Sequence, residues 1–283
     1  MNDDTIHDVA DTALWIAGYR AKETALPNAA FNDFLAGRMA GERGIHMAED
    51  MQRADAMSFA MVVRTTGIDR LIYDAIHKGV DTVINLGAGL DTRPYRMDLP
   101  AGLKWIEVDY QKVIDYKSRL ITEKPVCQLQ RYAADLSVDA EREKLFSKIG
   151  SEAQKALVIT EGVIGYLTPG QAEKLSKSIY AVPSFRYWIM DYSQGKMRHT
   201  YRKELKDKLK NSPIQFRADN QIAFFCKDGW KVSNNIYILD EADRIGKKLP
   251  PMKFPINIAL WLFPKKMREL GNKTYGYIMF GKE

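Results

Sequence analysis

Cysteine is scarce in this chain: Cys127 and Cys226 are the two among 283 residues. Thiols so few and so far apart supply neither a disulfide framework nor a cluster of zinc ligands, and they fit a reducing compartment. Long hydrophobic runs are missing as well. The opening MNDDTIHDVADTALWIAGYR has no basic segment followed by an apolar one, and no stretch reaches the roughly 20 continuous apolar residues that span a bilayer. A cytoplasmic protein without a membrane partner is therefore expected. Histidine occurs four times, never with metal-ligand spacing, and no G-x-S-x-G nucleophile motif is present, so neither a metal ion nor covalent hydrolase chemistry is expected. Repeats and low-complexity tracts are absent, which removes solenoid and linker readings.

What is present is the material of a globular α/β protein. Apolar residues make up 46% of the chain and aromatics 11%, ample for a buried core in a single unit with added helices. The net charge of +6 is modest, and much of it falls in KMRHTYRKELKDKLK, residues 196–210. That run reads as a solvated helix face, or as a surface that draws in an anionic substrate. Without aromatic interleaving or a recognised binding motif, no nucleic-acid partner is expected.

Residues 1–79 hold no convincing strand and read as a helical cap, with breaks near Leu26-Pro27-Asn28 and Gly41 to Gly44. Met57, Met61, Ile68, Leu71, Ile72, Ala75 and Ile76 recur near helical spacing and predict one long amphipathic helix stopping at Gly79. Residues 80–283 read as the core, where short apolar runs alternate with helical stretches as in a parallel sheet with crossover helices. TVINL, KWIEV, QLQRYA, ALVIT and RYWIMD are the first five strands, and TYGYIMF is the last. Thr168 is placed to cap the helix after the fourth strand, with Pro169 at its first position. The alternation lapses over about 192–228, which suggests a lid or substrate insertion.

The chemistry concentrates at the strand ends. VINLGAGLDTRPYR runs a strand into Gly87-Ala88-Gly89, where missing side chains let backbone approach a ligand. The G-x-G-x-x-G pattern is incomplete, because Thr92 stands where the third glycine would be. About twenty residues on, IEVD ends at Asp109, placed to accept ribose hydroxyls. Asp135 and Glu161 follow the third and fourth strands, so four consecutive strand ends carry ligand-compatible residues. A strand, glycine turn and acidic strand end also suit a nicotinamide-dependent oxidoreductase, and the same frame serves a non-catalytic nucleoside-binding protein.

The strings NLGAGLDTRPYR, EVDYQKVIDYKSRL, AADL and ITEGVIGYLTPGQ, in this order, resemble the leucine carboxyl methyltransferase and polyketide O-methyltransferase family. WIAGYRAKETALPNAAFNDFLAGRMAG and VVRTTGIDRLI look like the family's two arginine-bearing segments, and DGWKV and DEADRIGKKLP extend the likeness toward the end. The resemblance implies a Rossmann-like class I methyltransferase: a mostly parallel seven-stranded sheet, an N-terminal helical cap and a helical lid insertion. It implies S-adenosyl-L-methionine as cofactor, leaving as S-adenosyl-L-homocysteine. Gly87 and Gly89 would meet its methionine part, Asp109 its ribose, and Asp135 and Leu136 its adenine, with Ala88 and Tyr110 also among the cofactor contacts. Arg20 and Arg64 would clamp its carboxylate, Glu161 would lie near its amino group, and Tyr166 on the acceptor side.

The methyl acceptor stays open between a small-molecule carboxyl or hydroxyl group and a protein carboxyl terminus. An ionised carboxylate needs no general base, whereas a hydroxyl would, and His46, His77 and His199 are candidates for one. Phe216, Ile222, Phe224 and Phe225 in the insertion suit a hydrophobic acceptor, and amphipathic packing explains them equally. Oligomeric state is not legible.

Overall fold

The computed structural model describes residues 9–50, 54–193, 213–251 and 256–282, with side chains from residue 12 onward. Three helices come first, α1 (Val9–Thr24), α2 (Ala36–Glu49) and α3 (Ala54–His77). The sheet follows in alternation: β1 (Thr82–Leu86), α4 (Arg93–Arg96), β2 (Lys104–Asp109), α5 (Gln111–Leu120), β3 (Gln128–Ala133), α6 (Asp139–Glu152), β4 (Ala156–Thr160), α7 (Pro169–Ala181) and β5 (Phe185–Ser193). Beyond it lie α8 (Gln221–Cys226), β6 (Lys231–Tyr237), α9 (Ile238–Arg244), α10 (Ile256–Leu262), α11 (Pro264–Thr274) and β7 (Tyr275–Gly281).

The seven strands form one sheet in the order β3-β2-β1-β4-β5-β7-β6. β7 runs antiparallel to both neighbours and the other pairings are parallel. Composition explains the placement. TVINL and ALVIT are buried along their whole length, as central parallel strands covered on both faces must be. QLQRYA keeps polar residues in alternation and takes an edge.

Alternate residues of each strand feed two apolar layers. Ile84, Ile106, Val158 and Trp188 pack with α6 and α7 on one face. Val83, Trp105, Leu157 and Ile189 pack with α3 on the other. The long helix does form, and Gly79 follows it at φ +84°. Its periodic residues serve two partners rather than one: Met57 and Met61 join Trp15 and Tyr19 of α1, while Ile68, Leu71, Ile72 and Ala75 join the sheet layer. α3 is therefore buried nearly all round at its middle, and helical cap and core share an interior.

Two local expectations are corrected. α2 does not end at the Gly41 to Gly44 break; it bends at Gly41 (φ 59°, ψ −176°) and continues, with Gly44 close enough to α1 that a Cβ there would meet Leu14 O at 2.5 Å. β6 is a strand that periodicity misses, because KVSNNIY is polar at its centre, lies on the edge and carries a bulge between Val232 and Asn234. At α7 the expected cap is present: the Thr168 side chain accepts from Gln171 N, completing a capping box, with Pro169 at the first position. Of the insertion expected at about 192–228, the basic run at 196–210 and His199 lie outside the described residues. Phe216 and Phe225 are buried in the layer that holds Trp188, Trp230 and Phe280, so packing accounts for them.

Candidate active site

Strand register gathers the site. Asn85 pairs with Glu107 and with Ile159, and Ile159 pairs with Ile189. Two residues further along each strand, Gly87, Asp109, Glu161 and Asp191 stand level at the carboxyl edge. They flank the gap between β1 and β4, where strand order reverses and open α/β sheets bind ligands. Asp135 lies two residues past the end of β3, beside this row.

The glycine turn is held from both sides. Gly87 N and Ala88 N donate to Val108 O, and Gly89 N donates to Asp109 Oδ2 at 2.7 Å. Tyr110 N donates to Asp109 Oδ1, also at 2.7 Å, while the residue as a whole is 43% exposed. Each Asp109 oxygen thus takes one backbone donor and keeps lone-pair capacity for a ligand hydroxyl. Burial raises this carboxyl above its ordinary value against the pull of the two backbone N–H groups. Gly87 (φ +68°) and Gly89 (φ +48°) adopt left-handed backbone, and a Cβ on Gly87 would lie 2.5 Å from Val163 Cγ2. Gly87→Ala combines strain with collision, so about 1–3 kcal/mol of stability should be lost in urea unfolding. An unchanged midpoint would show that the turn yields without cost.

A chain of buried charges lies on the α3 side of the row. Arg64 Nε sits 2.8 Å from Glu161 Oε1 at an angle that makes no hydrogen bond, so this buried donor lacks an aligned acceptor. Burial opposes the Arg64 charge, but Glu161 beside it, with Tyr275 and Asp191, holds the guanidinium firmly protonated. Glu161 Oε2 accepts from Arg93 Nη1 at 2.8 Å; the same nitrogen reaches Asp91 Oδ2 at 2.8 Å, and Arg93 Nε reaches Asp69 Oδ1 at 2.6 Å. Arg96 closes on Asp69 at 2.7 Å. Arg93, Asp91 and Asp69 are site-building residues not singled out from the sequence, although LDTRPYR contains two of them. Asp191 was also missed. Its signal is that RYWIMD ends on an acid, as IEVD does; half-buried, it accepts from Gly162 N at 2.7 Å, and burial raises its carboxyl.

The structure brings Gly87, Ala88, Gly89, Asp109, Tyr110, Arg64 and Glu161 to one edge. Arg20 is tied to Asp33 at 2.8 Å and to Leu90 O at 2.5 Å, so its guanidinium fastens α1 to the loop that follows the glycines. Asp135 accepts from Ser137 N and Oγ in a local turn, and Leu136 O accepts from Arg142. Tyr166 ends a short 3-10 turn (Ile164–Tyr166) after β4; burial raises its phenol despite a hydrogen bond with the Thr12 side chain. Gln215 N and Phe216 N donate to Gly165 O, holding residues 215–216 against that turn. His77 ends α3 just before β1, at the opposite edge of the sheet, with Nδ1 near Tyr73 O. His46 is half-exposed beside Glu49. Among the described residues no group of three or more His, Cys, Asp or Glu could hold a metal ion.

Residues 13–180, more than half of the chain, match the family model for leucine carboxyl methyltransferase. A protein from Streptomyces avermitilis, named a putative S-adenosyl-L-methionine-dependent methyltransferase, is 33% identical over 182 residues, covering 60% of this chain and 64% of that relative. This chain thus spans just under two-thirds of that relative's length. A Mycolicibacterium smegmatis protein with the same description is 27% identical over 274 residues, covering 84% of this chain and 86% of its own. The crystal structure of a putative methyltransferase from Thermobifida fusca superposes with a TM-score of 0.61 at 14% identity, covering 100% of this chain and 97% of that one. That likeness supports the class I methyltransferase fold.

Proposed function

The chain belongs to the leucine carboxyl methyltransferase family, and on that premise we propose that it binds S-adenosylmethionine at the carboxyl edge and methylates a carboxyl or hydroxyl oxygen of a small molecule. Three features support the cofactor. The Gly87 turn leaves no room for a side chain, Asp109 keeps free acceptor capacity on both oxygens, and Arg64 holds a buried donor without an aligned acceptor. The level row of Gly87, Asp109 and Glu161 carries the reading.

In that arrangement Asp109 accepts the ribose hydroxyls and the glycine turn admits the methionine part, with Ala88 and Tyr110 beside them. Asp135 and Leu136 border the adenine. Arg64, with Arg20 behind the turn, supplies guanidinium charge for the carboxylate, and Glu161 accepts from the ammonium. When bound, the cofactor supplies a methyl group already activated by its sulfonium. The chain's task is then alignment and exclusion of water, which can account for much of the acceleration. Tyr166, after β4, is assigned to the acceptor side. A carboxylate acceptor needs no base; for a hydroxyl, Asp191, whose carboxyl burial raises, is the strand-end group suited to take the proton.

Calorimetric titration with S-adenosylmethionine, S-adenosylhomocysteine and reduced nicotinamide cofactors separates the readings. The expected result is micromolar-range binding of both sulfur compounds and none of the nicotinamides. Binding of a nicotinamide cofactor alone would replace this assignment with an oxidoreductase.

A further inference from the structure

α10, with the sequence INIALWL, buries none of its 7 residues. Trp261 is 80% exposed, and Leu262, Phe263 and Ile258 are about half exposed. Leu260 of α10 lines a cavity of about 320 Å³ together with Phe59, Leu239, Ala242, Leu249 and Pro264. The surroundings are basic: α11, PKKMRELGNKT, carries four cations against one anion. Arg268 is taken by Asp240 and Asp243, but Lys265 and Lys266, which open α11 directly after α10, have no ion-pair partner among the described residues.

We propose that α10 and the lysines around it form a docking surface for an anionic lipid bilayer. Contiguous exposed apolar side chains mark an interaction site, and a short apolar helix carrying Trp261, with Phe263 just past its end and Lys265 and Lys266 following, suits the headgroup boundary. Charge selects the occupant. A second copy of this chain meeting the same face would bring unpaired Lys265 and Lys266 against their own counterparts, whereas a surface of acidic lipids neutralises them while the aromatic rings enter the interface. Among the described residues no helix is long and apolar enough to cross a membrane, and an interfacial helix needs no such length. The expectation of no membrane partner rested on that missing span and does not reach this case.

The location adds a consequence. β6 ends and β7 begins at the carboxyl edge, since Tyr237 pairs with Gly276 and Ser193 with Tyr275, so the chain leaves the sheet after Tyr237 and returns at Tyr275 on the same edge as Asp109 and Glu161. Lys247 ties this excursion to Glu23 of α1 at 2.7 Å. A bilayer docked on α10 therefore lies toward the substrate end of the sheet.

The test is co-sedimentation of the full chain with vesicles of phosphatidylglycerol alone and of phosphatidylcholine alone. Binding to the anionic vesicles should weaken as salt rises, and the neutral vesicles should bind about tenfold less or worse. The other four tryptophans are at most 4% exposed, so a blue shift of emission on anionic vesicles reports Trp261. Trp261→Ser and Lys265→Glu/Lys266→Glu, both on exposed positions and expected to melt with the parent, should each lose about tenfold or more in vesicle affinity. Equal binding to both lipids, no binding to either, or variants that bind like the parent would overturn the proposal. So would a dimer in sedimentation velocity that Trp261→Ser splits while vesicles leave the protein in solution. None of these readouts depends on methyl transfer.

Discussion

Asp109→Ala should weaken S-adenosylmethionine binding by roughly two orders of magnitude or more, because two hydrogen bonds to a charged acceptor in a partly buried site are each worth about 1.5–3 kcal/mol. The substitution also releases Gly89 N and Tyr110 N, each now held at 2.7 Å, so the glycine turn loses its brace along with its ligand contact. Asp109→Asn separates the two effects: an amide oxygen can still accept one backbone bond, so turn geometry should survive better than affinity. Isothermal titration, with the melting temperature as a check on folding, reads both. Affinity should also depend on pH with a defined sign. The ribose hydroxyls donate to the ionised carboxylate, and burial raises the Asp109 pKa above 3.8. Affinity is then retained at neutral pH and falls on acidification, at a higher pH than for an ordinary aspartate. An Asp109→Ala protein that binds the cofactor like the parent would remove the ribose assignment.

The framework of this site was legible because it rests on short-range signals. A buried parallel strand must be almost wholly apolar, so TVINL and ALVIT stand out. The residues just past such strands are the ones the fold aims at a ligand, which is why Gly87, Asp109 and Glu161 stand out in the sequence itself. Elements whose identity depends on distant partners were not legible in the same way. KVSNNIY is a strand because β7 offers it an edge, not because its own pattern alternates. Met57 and Ile68 share a period on α3 yet face different clusters, since periodicity records that a residue is covered but not by what. At Asp135 the competing signal is local instead, since Ser137 two residues on engages its side-chain oxygen in a turn.

The ion-pair chain beneath the site was the least legible part, because its members come from α3, the loop after β1, α4 and the end of β4. Its key is Arg93, 3% exposed, whose guanidinium contacts Asp69, Asp91 and Glu161 at once. Asp69 retains Arg96 and Glu161 retains Arg64, but no other cation contacts Asp91 directly among the described residues. Arg93→Ala therefore strands one buried carboxylate and weakens the settings of two more. Breaking a buried pair in this way costs about 3–5 kcal/mol, or a fall in melting temperature on the order of 10 °C. The pH dependence distinguishes this cause from lost packing. In the parent, burial works to raise Asp69 and Asp91, but Arg96 and Arg93 for the one and chiefly Arg93 for the other hold both below 3.8. Their stabilisation is full above the unfolded carboxylate value and is lost as pH falls through the depressed folded values. In the variant, desolvation at Asp91 loses its chief counterweight, its folded pKa rises, and stability is lost as pH climbs through that value. The gap in urea midpoint between parent and variant should thus be widest near neutrality and narrow on acidification. Asp91→Asn/Arg93→Met, which removes both charges together, should recover part of the loss, because no unpaired charge remains buried. A gap that stays constant with pH, with no recovery in the double variant, would assign Arg93 to packing alone.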